Sequence, residues 1–130
     1  MYENEPTAYG YKMTFGGFID DEEMAAWANE VESQLDQTPD EWHCYVDMRP
    51  LETMSADGQQ RMAAIKRECH DCGLTRVATV VDSPTVRLQF EQMSEGTGGS
   101  GNERYLDAQT TENPEETAIA WVRDSVDPGA

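Results

Sequence analysis

Cys44-Tyr-Val-Asp-Met-Arg49 is a short apolar run, and eight residues past its Asp47 stands Ser55-Ala-Asp-Gly58, the opening of an amphipathic stretch. A strand that feeds through a short loop into a helix presents unpaired N–H groups and a positive dipole end at the helix start, a place suited to an anion or an acidic partner. Pro50 forbids a simple continuation of the strand, so the loop begins there. Residues Trp42 to Met48 place Trp42, Cys44, Val46 and Met48 on one side, with His43, Tyr45 and Asp47 on the other. From about Ala56 to Cys72, Met62, Ile65, Cys69 and Cys72 recur at helical spacing, and Gly73 stands where a C-terminal cap belongs.

The same alternation of strand and helix extends in both directions. Upstream, Tyr9, Tyr11, Met13 and Phe15 alternate like a half-buried strand that stops at Gly16-Gly17. Asp20 and Glu23 have the spacing of a capping pair ahead of a Met24, Trp27, Val31, Leu35 stripe. Downstream, Val77 to Val81 is a continuous apolar run of the kind found in a strand covered on both faces. Ser83-Pro84 opens a helix carrying Val86, Phe90 and Met93, and Arg104 to Ala108 reads as a short strand. Asn113-Pro114-Glu-Glu116 then caps a last helix through Ile119, Val122 and Val126. The expected fold class is α/β: four or five strands in a mixed, mostly parallel sheet, with about four helices. One domain over residues 1–130 is expected, with flexible ends at 1–7 and 127–130 and a glycine-rich tether from Ser94 to Asn102.

Charge narrows the partners. The chain carries 26 acidic residues against nine basic, a formal charge of −17. Such a surface repels phosphate backbones, so neither nucleic acid nor an anionic membrane is an expected partner. The acids are uneven: residues 1–48 hold twelve acids and one base, residues 88–130 nine acids and two bases, but residues 49–87 only five acids against six bases. An acidic coat with two lysines, Lys12 and Lys66, fits a halophilic cytosol, where screening removes the self-repulsion. No stretch approaches the roughly 20 apolar residues of a membrane span. Three cysteines and an acidic start without an apolar run predict a soluble, unexported, cytoplasmic protein with reduced thiols.

Gly17-Phe-Ile-Asp20, the strand ending Val46-Asp47-Met48, the Ser55-Ala-Asp-Gly58 turn and Gly73 before the next apolar strand together resemble the SpoIIAA-like, or STAS, superfamily. Arg104-Tyr-Leu-Asp-Ala followed by Glu116-Thr-Ala-Ile-Ala-Trp121 is similar to its STAS/SEC14-related branch. The resemblance covers most of the chain and implies a non-enzymatic regulatory domain whose partner is another protein, with homodimerisation left open. In the anti-sigma-factor antagonists of that superfamily the turn reads Asp-Ser-Ser-Gly, and phosphorylation of its first serine switches binding. Here Ala56 stands at that position, without a hydroxyl, while Asp57 supplies a fixed negative charge. The expected interaction surface is therefore Asp47, Ser55, Asp57, Gly58 and Arg61, with Gln59, Gln60 and Lys66 on the exposed side of the helix. Ser55 itself reads best as a helix N-cap.

Other patterns compete. Cys44 and Arg49 have the spacing of a rhodanese persulfide loop, but the residues between them lack glycine and alternate like a strand, so Cys44 reads as a small buried hydrophobe. Cys69-His-Asp-Cys72 has zinc-knuckle spacing, yet both cysteines continue the apolar stripe, which places them in the core. Gly96-Thr-Gly-Gly-Ser-Gly101 lacks the Lys-Ser/Thr ending of a phosphate loop. Neither metal nor cofactor is expected. A SEC14-like carrier of an apolar ligand is the alternative function, with a Cys44-dependent enzyme a distant third.

Overall fold

The computed structural model describes residues 1–95 and 100–129. Seven strands and four α-helices follow in the order β1 (Tyr2–Thr7), β2 (Gly10–Phe15), β3 (Gly17–Ile19), α1 (Asp21–Leu35), β4 (Trp42–Asp47), β5 (Leu51–Met54), α2 (Ala56–Asp71), β6 (Leu74–Val81), α3 (Pro84–Glu95), β7 (Glu103–Asp107) and α4 (Pro114–Asp124). The main sheet has the order β1-β2-β4-β6-β7, and β3 and β5 form a separate parallel pair. β1 runs antiparallel to β2, and every other neighbour in the main sheet is parallel. This is the mixed, mostly parallel α/β sheet expected from the sequence.

Parallel neighbours need crossovers, and the helices supply them. α1, α2 and α3 cover one face, where Met24, Trp27 and Val31, Met62, Ile65 and Cys69, and Phe90 pack on Met13, Phe15, Cys44, Val46, Val77 and Val81. α4 covers the other, packing Ala118, Trp121 and Val122 on Tyr45, Ala78, Val80 and Leu106. From Val77 to Val81 every residue of β6 is buried, because both of its faces are covered. The same holds for β4, whose second face was expected to be its polar side: Tyr45 is fully buried and Asp47 nearly so.

Residues 2–7 are a strand instead of a flexible end. They pair with β2 through a tight connection closed by Gly10, whose φ is +144° and where a Cβ would lie 2.0 Å from His43 O. The other end is tied as well, because Asp127 forms a two-point ion pair with Arg104 (3.0 Å at both oxygens). Residue 130, and residues 96–99 of the expected tether, lie outside the described residues. At α4 the expected side-chain cap is absent: Asn113 has φ +50° and its side chain makes no cap hydrogen bond. The helix ends at Asp124, leaving Val126 exposed.

Candidate interaction surface

Each of the two helices nearest the β3–β5 pair starts on a side-chain cap. Asp20 Oδ1 accepts the Glu23 N–H (2.8 Å), and Ser55 Oγ accepts the Gly58 N–H (3.0 Å). These bonds satisfy donors that a helix start leaves open. The Ser55 hydroxyl donates in turn to Asp21 Oδ1 at 2.6 Å, which joins the first turn of α2 to the first turn of α1. Gln59 Nε2 donates to Met54 O (3.1 Å), fastening the turn to β5. Gly58 is buried, and a Cβ there would lie 3.0 Å from Met54 Cγ and 3.2 Å from Met24 Cγ, so the backbone of α2 rests directly on its neighbours.

What remains outward on this turn is Ala56, Asp57, Gln60 and Arg61, all exposed. Ala56 is the first residue of α2 and faces solvent. Lys66 does not join the surface. Its ammonium forms an ion pair with Glu103, and both side chains are largely buried.

Asp47 is separated from the other four residues. Tyr45 and Asp47 share the strand face covered by α4, whereas α2 packs on the Cys44 and Val46 face. The Asp47 carboxylate is also taken up by its neighbour: Arg49 Nε and Nη2 donate to its two oxygens at 2.9 Å each, and the Arg49 N–H adds a bond of 3.0 Å. Burial pushes the Asp47 carboxyl up, but the hydrogen bonds and charge of Arg49 outweigh it, leaving the group below its ordinary value. Asp47 is therefore a strand-end anchor. In the sequence Arg49 stands two residues past Asp47 and five past Cys44, and spacing alone does not choose between them.

The competing sites dissolve on inspection. Cys44 is buried, and its thiol pKa is pushed well up by desolvation, with neighbouring Cys69 adding to the effect. Nothing there resembles the anion cradle that generates a reactive thiolate. Cys69 is buried, but Cys72 is exposed as the C-cap residue of α2, so the two do not share the core face assigned to them from the apolar stripe. The stripe fails at its last member because the helix ends at Asp71 and the chain turns at Gly73, φ +103°. Among the described residues no three His, Cys, Asp or Glu side chains come together as a metal site. Between the sheet and α2 lies an apolar cavity of about 40 Å³, bordered by Met62, Phe90 and Met93. No helix among the described residues is long and apolar enough to cross a membrane.

No family model matches the chain, and no curated protein matches it. Among solved structures, the anti-sigma factor antagonist SpoIIAA in its unphosphorylated form is 20% identical, with a TM-score of 0.66 over 95% of this chain and 98% of that one. An uncharacterised protein of the DUF3478 family with a SpoIIAA-like fold, from Shewanella loihica PV-4, is 14% identical, with a TM-score of 0.67 over 94% of this chain and 92% of that one. The strand order, the crossover helices and these two likenesses agree: the chain has the SpoIIAA-like fold that its STAS-type motifs imply.

Proposed function

We propose that the chain is a non-catalytic regulatory domain that binds another protein through the first turns of α2, in the manner of an anti-sigma factor antagonist but without a phosphorylatable serine at the switch position. One observation supports this reading above the rest. The Ser55 to Gly58 turn is held by α1, β5 and its own cap, while Ala56, Asp57 and Arg61 point outward from it. A rigid backbone presenting a few exposed side chains binds at low entropic cost. The turn also belongs to the least acidic third of the sequence, where a partner meets the least repulsion. Ser55 is a poor phosphate acceptor, since its hydroxyl is committed both to the cap and to Asp21. The proposed setting is a cytosol of high salt.

A pull-down from host lysate at the host's working salt tests the reading. Asp57→Lys and Arg61→Glu are expected to lose partners that the unaltered chain retains. Unchanged capture by both variants would overturn it. The carrier alternative is disfavoured by size: a ligand pocket spans roughly 300–1,000 Å³, whereas the apolar cavity between the sheet and α2 is about 40 Å³ and the larger hollows are open surface grooves. Native mass spectrometry of the purified chain, with no co-purifying ligand, is the expected result.

A further inference from the structure

A cleft of about 230 Å³ opens at the end of the main sheet where β4 begins, whereas the Ser55 turn lies beyond the end where β4 stops. Pro6, Tyr9 and Tyr11 from the β1–β2 hairpin line it on one side, and Pro39, Glu41 and Trp42, between α1 and β4, on the other. Hydrogen bonds fix these walls. The Trp42 indole N–H donates to Cys72 O (3.0 Å), the Trp42 backbone N–H to Gly73 O (3.0 Å), and the His43 backbone N–H to Tyr9 O (2.9 Å). Tyr11 meets Trp42 edge to face, with ring centres 5.6 Å apart and 84° between the planes. Trp42 is 2% exposed, so Tyr9 and Tyr11, both partly exposed, supply most of the accessible ring surface.

The surroundings of the cleft are negative. It adjoins the C-terminal end of α1, the negative pole of that helix, whose last turn holds no basic residue. Asp36 and Asp40 in the following loop are exposed and pair with no cation among the described residues. The Glu41 side chain is 63% exposed, its contacts to His43 Nε2 (3.8 Å) and Arg76 Nη1 (4.0 Å) being long. Elsewhere the chain covers its rings with its own cations: Lys12 lies over Tyr45, and Arg76 and Arg104 lie over Trp121. Among the described residues no side-chain cation lies over Tyr9, Tyr11 or Trp42.

We propose that this cleft binds a small free quaternary ammonium ion of the choline type. A ring face attracts a cation, and a methylated ammonium seats its carbon shell against tyrosine and proline while keeping its charge. A bare ammonium needs an acceptor for each of its three N–H donors, which walls of this kind do not supply. An anionic ligand is repelled by Glu41 and by the helix end. The proposal is independent of the regulatory reading.

Titration of the isotope-labelled full chain with choline chloride at constant ionic strength, followed by NMR, tests it. Saturable shifts centred on the cleft residues are expected, with a Kd of about 1–10 mM. The uncharged isostere, with carbon in place of the nitrogen, keeps the shape and should bind about tenfold more weakly or worse. Tyr9→Leu and Tyr11→Leu keep an apolar wall but remove a ring face, and each is expected to weaken choline binding about tenfold. Glu41→Gln should weaken it about threefold, and less in molar salt. Circular dichroism spectra of the three variants should match that of the unaltered chain. A short peptide carrying trimethyllysine bears the same headgroup, and choline is expected to bind at least as tightly. Binding of the peptide alone would overturn the proposal, as would an isostere equal to choline or no saturation up to about 100 mM choline.

Discussion

Ser55 Oγ donates to Asp21 Oδ1 at 2.6 Å while accepting the Gly58 N–H at 3.0 Å, so one hydroxyl caps α2 and couples it to α1. Removing it opens a helix end and frees a carboxylate. Ser55→Ala is expected to lower stability by about 1–2 kcal/mol, the usual worth of such a cap. Ser55→Asp keeps an acceptor for Gly58 but faces Asp21 with a like charge. At low salt it should be no more stable than the alanine variant and should recover in molar salt, as screening predicts. Urea midpoints at two salt concentrations check both.

The two structurally demanding glycines should respond differently to alanine. Gly73 has φ +103°, and a Cβ would lie 2.2 Å from the Asp40 carbonyl oxygen, a backbone atom that cannot step aside. Gly73→Ala is expected to cost about 2 kcal/mol or more, from strain and collision together. Gly58 lies inside α2, where a Cβ would press on Met54 Cγ, Met24 Cγ and Ser55 Oγ at 3.0–3.2 Å without meeting backbone. There the helical gain of alanine over glycine, about 1 kcal/mol, is offset by crowding, so Gly58→Ala should leave stability nearly unchanged. Thermal unfolding of the two variants measures the contrast.

Elements whose local chemistry and packing agree were legible from sequence. The Asp20 cap and the Met24, Trp27, Val31 stripe placed α1, and Gly73 marked the end of α2. β1 was not legible, because Glu3, Glu5 and Pro6 make a polar strand whose stability comes from pairing with β2. β3 and β5 are too short for any periodicity and exist as each other's partner. The geometry of the candidate surface was half legible. Spacing found the Ser55 cap and the exposed Asp57 and Arg61, but nothing local to Asp47 tells which face a helix from the far end of the chain will cover. The Asp21 contact to Ser55 spans 34 positions and left no trace in either segment.

The three thiols should separate by reactivity. Cys72 is exposed, whereas Cys44 and Cys69 are buried, and desolvation pushes the Cys69 thiol up to about 12. Only the thiolate attacks a disulfide reagent. At pH 8 the native chain is expected to titrate one thiol rapidly with such a reagent, and all three after unfolding in urea. A Cys72→Ser variant should show no rapid phase. Two fast thiols in the native chain would contradict the burial of Cys69.

Acid should weaken the fold in two separate windows, because His43 and Asp47 are tuned by different arginines. Half-buried His43 accepts the Arg76 N–H at Nδ1 (3.2 Å), with Arg76 Nη2 3.1 Å from Nε2, while that guanidinium also donates to Trp121 O and Val122 O at the end of α4. Burial and then the Arg76 charge hold the imidazole below its ordinary value, with Glu41 opposing them. As pH falls below about 6.5 the unfolded chain takes up the proton first. The contribution of His43 is therefore present above that pH and is lost as pH falls through its lowered folded value. Asp47, held below its ordinary value by Arg49 in spite of burial, stabilises above about pH 4 and loses its contribution only below it. His43→Gln is expected to flatten the upper window and leave the lower one, while Arg49→Gln flattens only the lower. Urea midpoints taken at intervals from pH 7 to pH 3 resolve them, and a His43→Gln profile parallel to the unaltered chain above pH 5 would refute the assignment.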